Sequence, residues 1–537
     1  MPNRFNFYII KHIGILLAAS AIIIAACDNS LPSYEDVHGK PSGGTENSGN
    51  EGKDEDKPNE GTTPEVPTFS FAVSPTGTGA YTDDVLTLTF KNKPELGNEG
   101  KITIFNADGT QADIIDMADV AESFQQMTNN SLNTTTIDFI GAPSLQRFRA
   151  INYKPVKVEG NSIIIRPHSN RLEYGKTYYV TIDPSAITAE GFSGISADKK
   201  WEFATKQQPS SKETVTVAKT GNSDFRTIQA AIDWAYKCGP NAPMLINIRN
   251  GIYEEQLFIR SNNKITFKGE SRDGTIIQYA NAEEYANGVG GSISAIPAAG
   301  ESIGKSGGRA VILMEICKDI RFENMTLKNT YGKPGQAEVI YNNSDGDYTL
   351  SFVNCSLISL QDTFNSKGYG WMKDCLIEGD CDFIWGSPRT WLFEDCEIRA
   401  AGDGYIVQAR CQDKKYKGFV FLNCSLTKTS GTADDTMYLA RSSGADEYYD
   451  NVAYINCRMS PVINAKGWYA SPAPNPANAD ASSGWKEYGS KDLSGKSLSL
   501  NSRNTCAYTL KDEEYESYYK DRGIIFADAP VGTDWLK

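Results

Sequence analysis

Two aspartates, Asp362 and Asp382, are separated by the same interval as Cys355 and Cys375, which mark one repeat of an apolar-x-(Asn/Asp)-Cys pattern. If one repeat is one coil of stacked β-structure, both carboxylates fall at one phase of adjacent coils, where strands run about 4.8 Å apart. Carboxylates so close cannot both ionise cheaply. One pKa rises, the other falls, and the pair separates into an acid and an anion. Asp382 lies in Cys381-Asp-Phe-Ile-Trp385-Gly386, among apolar side chains that limit water, and Asp362 follows Gln361, an amide suited to a developing oxyanion. The only histidines are His12, His38 and His168, none of them within 212–537. A Ser-His-Asp or Cys-His enzyme and a His-ligated zinc site are therefore excluded there. Asp403, which follows Asp395 much as Asp362 follows Asn354, falls at the same phase one coil further on, but between two glycines it reads as a turn residue.

The pattern that must position these groups recurs along the chain as Phe322-Glu-Asn324-Met325, Phe352-Val-Asn354-Cys355, Met372-Lys-Asp374-Cys375, Phe393-Glu-Asp395-Cys396, Phe421-Leu-Asn423-Cys424 and Tyr454-Ile-Asn456-Cys457, at unequal intervals. Short β runs, a fixed Asn/Asp that tolerates left-handed backbone, and insertions of variable length predict a parallel β-helix over 212–537. Apolar residues at 228, 231, 232 and 235 predict a short amphipathic helix capping it. Residues 67–207 carry alternating runs such as Val85–Phe90 and Tyr178–Ile182, and with Leu172-Glu-Tyr-Gly and Trp201-Glu-Phe they resemble bacterial Ig-like β-sandwich modules. The expected class is all-β: a right-handed parallel β-helix preceded by an Ig-like β-sandwich that acts as a spacer or a glycan-facing scaffold.

A chain of 537 residues suggests two or three units, and a net charge of −14 argues against a nucleic-acid partner. Residues 28–66, rich in Gly, Ser, Pro, Glu and Asp, form an acidic linker that cannot bury enough apolar surface to fold. Arg4 and Lys11 precede an apolar run from Ile13 that ends in Ile24-Ala25-Ala26-Cys27, too short to span a membrane and similar to a bacterial lipobox. Residues 1–27 therefore read as a signal with Cys27 as its lipidation site, which implies an envelope protein anchored at the outer membrane or cell surface. Of the other cysteines, Cys355, Cys375, Cys396, Cys424 and Cys457 share one phase of the repeat and are expected as a buried ladder rather than metal ligands.

At the level of motifs, residues 212–510 resemble the pectin methylesterase family. Gly251-Ile-Tyr253-Glu-Glu255 is similar to its GxYxE element, Gly335-Gln336-Ala337 to QA, Gln361-Asp362-Thr363 to QDT and Asp382-Phe-Ile-Trp-Gly386 to DFIFG. Tyr405-Ile-Val-Gln-Ala-Arg410 is similar to a TAQGR-like strand, Leu439-Ala-Arg441 to LGR and Gly467-Trp468 to GW. The resemblance implies hydrolysis of the C6 methyl ester of galacturonate in pectin, without metal or cofactor, by an expected monomer. Asp382 would be the nucleophile, Asp362 the acid and then the base, Gln336 and Gln361 the oxyanion donors, and Arg441 the cation that keeps Asp382 ionised. Tyr253, Glu255, Phe383, Trp385 and Trp468 would line the substrate, with Gln408 and Arg410 along the cleft. The family's Pro-Trp after LGR is replaced here by Ser442-Ser443, so an aromatic platform is missing at Ser443. A lyase or polygalacturonase on the same scaffold, and an inactive glycan-binding β-helix, stay open as alternatives.

Overall fold

The computed structural model describes residues 71–120, 135–141, 146–198, 201–261, 264–286, 291–298, 301 and 308–537. The expected signal with Cys27, and the linker, lie outside them. Among the described residues no helix is long and apolar enough to cross a membrane.

Residues 214–509 form one sheet of 24 strands, and every pairing resolved strand by strand within it is parallel. The sequence repeats stack register on register: Phe322 pairs with Phe352, Phe352 with Met372, Met372 with Phe393, Phe393 with Phe421 and Phe421 with Tyr454. Unequal intervals are absorbed in the loops between strands and in bulges within them, as between Gly368 and Tyr369, so the phase survives. The polar residue of each repeat turns the chain. Asn324, Asn354, Asp374, Asp395, Asn423 and Asn456 all have φ between 52° and 57°, a left-handed conformation that Asn and Asp adopt more readily than other side chains. Asn354 Nδ2 also donates to Asn324 Oδ1 at 2.9 Å, linking one turn to the next.

Inside the coils, like packs on like. Phe267, Phe322 and Phe352 stack with centroids 4.7 and 5.1 Å apart, and Phe393, Phe421 and Tyr454 at 4.6 and 4.5 Å. Met372 fills the step between the two stacks. Cys355, Cys375, Cys396, Cys424 and Cys457 are buried free thiols, as their phase predicts. Truncating one ring, as in Phe352→Ala, would cost about 3–5 kcal/mol. Helix Ile228–Cys238 closes the N-terminal end, burying Ile228, Ala231, Ile232 and Ala235, with the Thr227 side chain accepting from Ala230 N.

Asp403 does not share the phase of the aspartate pair. Gly379 pairs with Ala400 and Cys381 with Tyr405, so Asp380 alone faces the whole of 401–404 and the extra chain bulges outward, leaving Asp403 exposed.

The N-terminal region holds a four-stranded antiparallel sheet, in the order Phe71–Ser74, Leu86–Phe90, Ser162–Ile165, Val156–Glu159, and a five-stranded sheet centred on Thr177–Ile182. Leu88 and Ile163 of the first meet Ile104, Val180 and Phe203 of the second in one core. One segment departs from a self-contained sandwich. Strands Ile137–Ile140 and Arg149–Asn152 form their own hairpin, and Ile140 and Ile151 pack on Phe258 and Leu313 of the β-helix. Buried Arg149 donates to the carbonyls of Leu257 at 2.7 Å, Val311 at 3.0 Å and Gly308 at 3.2 Å, and also to Ala310. Asp83, from a sandwich loop, accepts from Arg226 N and Thr227 N at 2.7 Å, at the start of the capping helix. These contacts do more than space the two regions apart.

Candidate active site

Asp382 sits in the long strand Leu376–Glu394 with φ 47°, and Asp362 just before strand Phe364–Lys373 with φ 65°. A non-glycine residue held there costs of order 1 kcal/mol, which the surrounding coils must enforce. Phe364 pairs with Ile384, so Asp362 and Asp382 stand level on adjacent coils, and Asp362 N donates to Cys381 O at 3.0 Å. Gly386 closes the motif because a Cβ there would lie 2.2 Å from Ser366 O of the neighbouring coil.

Arg441 Nε donates to both Asp382 oxygens, at 2.9 and 3.0 Å, and its Nη2 adds a further bond to Oδ2. Gln408 Nε2 donates to Asp382 Oδ2 at 3.1 Å, and Gln408 Oε1 is fixed by Arg410 Nε at 3.0 Å. Burial raises the Asp382 pKa, while the Arg441 bonds and the charge of Arg410 oppose that rise. Asp362 is also buried but has a weaker counterweight. Burial and the nearby Glu338 carboxylate push it well above the usual carboxylate range, against the pull of Arg309. The environments thus separate the two: an acid at 362, an arginine-held carboxylate at 382.

Arg309 and Glu338 are the residues that sequence reasoning missed. Arg309 donates to Asp362 Oδ2 at 3.1 Å, to Glu338 Oε1 at 2.6 Å and to Gln336 Oε1. Ile340 pairs with Phe364, so Glu338 stands level with Asp362 one coil earlier. Three carboxylates therefore form a column. The phase rule that links Asp362 to Asp382 also reaches Glu338, but the step from Glu338 to Asp362 is longer than the step from Asp362 to Asp382, which hides it. Arg309 belongs to no repeat.

Gln336 and Gln361 are both half-buried beside Asp362. Trp385 lies between two guanidinium groups, Arg309 at 5.4 Å and Arg410 at 5.2 Å from its ring. Four expected substrate contacts are corrected. Tyr253 is fully buried and donates its hydroxyl to Arg249 O at 2.9 Å. Phe383 is fully buried in the helix core. Trp468 is buried, stacks on Trp485 at 5.3 Å and donates to Glu487 Oε1 at 3.2 Å. Glu255 is buried and accepts from Ile228 N and Gln229 N at 3.0–3.1 Å, so its carboxyl caps the helix. In each case the side chain points into packing, a direction that a motif match does not encode. Aromatic surface is found instead at Tyr405, Tyr438 and Tyr469, half-buried with ring centroids 5.0–5.9 Å apart, and Arg441 lies 4.6 Å over Tyr405. Among the described residues, no group of three or more His, Cys, Asp or Glu side chains is placed to hold a metal ion.

The parallel β-helix thus sets an arginine-held carboxylate beside a buried carboxyl whose pKa is raised, an arrangement suited to carboxylate-based hydrolysis. The Pectinesterase family model matches residues 214–488, and the chain belongs to the pectinesterase family. Relatives include Pectinesterase 31 of Arabidopsis thaliana, 30% identical over 264 residues, 48% of this chain and 76% of that protein. Probable pectinesterase A of Neosartorya fischeri is 30% identical over 258 residues, 47% of this chain and 72% of that protein. Among solved structures, the carrot pectin methylesterase aligns with 62% of this chain and 98% of its own at 19% identity and TM-score 0.48. That from Aspergillus niger aligns with 62% and 98% at 23% identity and TM-score 0.47.

Proposed function

We propose that the chain hydrolyses C6 methyl esters of homogalacturonan, releasing methanol, through Asp382 and Asp362. The observation that carries this reading is the contrast between the two carboxyls: Asp382 held by Arg441 and Gln408, Asp362 buried beside Glu338. The ionised Asp382 oxygen attacks the ester carbonyl carbon, and the Gln336 and Gln361 amides donate to the oxyanion that forms. As the C–O bond to methoxy breaks, Asp362 gives its proton to the departing oxygen, so methanol leaves and an acyl–Asp382 anhydride remains. Asp362, now a carboxylate, takes a proton from water. The hydroxide adds to the acyl carbon, and Asp382 departs as the anion. One proton cycles through Asp362 and none is lost. Trp385 is mostly buried, at 8% exposure, so the three half-buried tyrosines near Arg441 would offer the sugar-ring faces in place of the Trp absent at Ser443.

The reading extends to location: a bacterial envelope lipoprotein, anchored through Cys27, that works as a monomer on extracellular pectin. The experiment is an assay of the full chain on highly methylated pectin, with and without EDTA, following methanol, reducing ends and unsaturated uronides together. Methanol alone, insensitive to chelator, is expected. Calcium-dependent unsaturated products would replace this reading with a lyase, new reducing ends with a glycosidase, and pectin binding without product with a binding protein.

A further inference from the structure

Arg309 has only donors to offer, five N–H groups in a rigid plane. An amide that meets it must present its oxygen, so the bond from Arg309 Nη1 to Gln336 Oε1 fixes which way the Gln336 amide faces. The Gln336 NH2 is turned away from the guanidinium, as a donor for the cleft. The same guanidinium reaches Asp362 Oδ2 at 3.1 Å. Its charge is shared with half-exposed Glu283 at 3.3 Å and with Glu338 at 2.6 Å. Glu338 is fully buried, and its second oxygen has no hydrogen-bond partner among the described residues. The charged groups facing Asp362 are Arg309, Glu338, Asp382 and Arg410. Burial also raises the Glu338 pKa, against the pull of Arg309, so Glu338, Asp362 and Glu283 compete for one guanidinium, with Glu338 the nearest of the three.

We propose that Arg309 and Glu338 act together as positioning residues: Arg309 holds the Asp362 carboxyl and aims the Gln336 amide, while Glu338 occupies the Arg309 charge so that Asp362 keeps its proton. The proposal rests on the reading of Asp362 as the acid and Gln336 as an oxyanion donor. It adds that the acid is set by a carboxylate the chemistry never touches. Removing the charge of Glu338 frees Arg309 to favour ionised Asp362, so the acid is lost at lower pH.

The test uses Glu338→Gln in the full chain, which keeps the shape and the Oε1 acceptor. The alkaline limb of kcat/KM, where Asp362 loses its proton, is expected to move down by about one pH unit or more, with KM changed less than about twofold. Arg309→Lys keeps the charge but not the fork, and is expected to lower kcat by about 10-fold or more without moving that limb. A Glu338 that only packs would lower activity equally at every pH, and an unmoved limb overturns the proposal. A second readout needs no turnover. The Asp362 carboxyl is titrated by 13C NMR, assigned by its disappearance in Asp362→Asn, and in Glu338→Gln it is expected to titrate at lower pH. If the wild type releases no methanol, the esterase reading fails, while this titration alone upholds or overturns the coupling of Glu338 to Asp362.

Discussion

The Arg441 guanidinium lies across the Asp382 carboxylate, its Nε bonded to both oxygens at 2.9 and 3.0 Å. Burial raises the Asp382 pKa, and Arg441 supplies the main opposing interaction. Removing it in Arg441→Ala therefore raises that pKa further. A nucleophile must be ionised, so the acidic limb of the pH–rate profile is predicted to move to higher pH, with about 10²-fold less activity at neutral pH. An acidic limb that stays in place would show that Arg441 does not control Asp382.

Asp362 carries a stability consequence of opposite sense to an ordinary ion-paired carboxylate. Its folded pKa is raised, so the native state keeps a proton that the unfolded chain gives up near pH 4. Its contribution is fully present below the unfolded pKa and is lost as pH rises toward the folded pKa. Asp362→Asn has no such proton to lose. The variant is predicted to gain Tm relative to wild type as pH rises from about 4 to 8, while methanol release falls by about 10²–10⁴-fold. A Tm difference that is flat with pH, measured by calorimetry across that range, would refute the assignment.

Arg149 ties the N-terminal region to the active site. Its bonds to the carbonyls of Gly308 and Ala310 flank Arg309 on both sides. Burial pushes the Arg149 pKa down to about 9, which still leaves it charged at neutral pH. Asn281 Nδ2 also donates to both carbonyls, at 2.9 and 3.1 Å, so Arg149→Met loses the charged donor without leaving them unpaired and is predicted to cost about 1.5–3 kcal/mol. It should also lower kcat at temperatures where the variant stays folded. Denaturant unfolding and kinetics on the full chain would check both, and an unchanged kcat would confine Arg149 to a stabilising role.

The proposed lipidation of Cys27 is testable separately. In a bacterial host that lipidates exported proteins, Cys27→Ser is predicted to abolish palmitate incorporation and to move the protein from the membrane fraction to the soluble fraction. Equal labelling of variant and wild type would remove Cys27 from that role.

The sequence made the coil architecture legible because each coil repeats an apolar residue, a left-handed Asn or Asp and a cysteine (a methionine at 325), three positions the backbone constrains. Asp362 and Asp382 were legible for the same reason, since their spacing equals one coil. Glu338 shares their phase but sits beyond an interval of a different length, and Arg309 is brought in by a segment with no repeat. Tyr253, Glu255, Phe383 and Trp468 matched motifs, but the direction of a side chain is decided by the strand's local packing. Strands Ile137–Ile140 and Arg149–Asn152 fall inside the span read as one sandwich, and nothing in their own residues sets them apart from it. Their partner, the buried face around Phe258 and Leu313, is remote in sequence.

The central claim is that Asp382 forms the bond to the substrate's acyl carbon. Its most direct test is the rate of methanol release from highly methylated pectin by full-length wild type and Asp382→Asn, with matched circular dichroism and Tm. The amide keeps the shape but is no nucleophile, so the account predicts at least about a 10³-fold loss with the fold intact. Near-wild-type methanol release by a folded Asp382→Asn protein would contradict it.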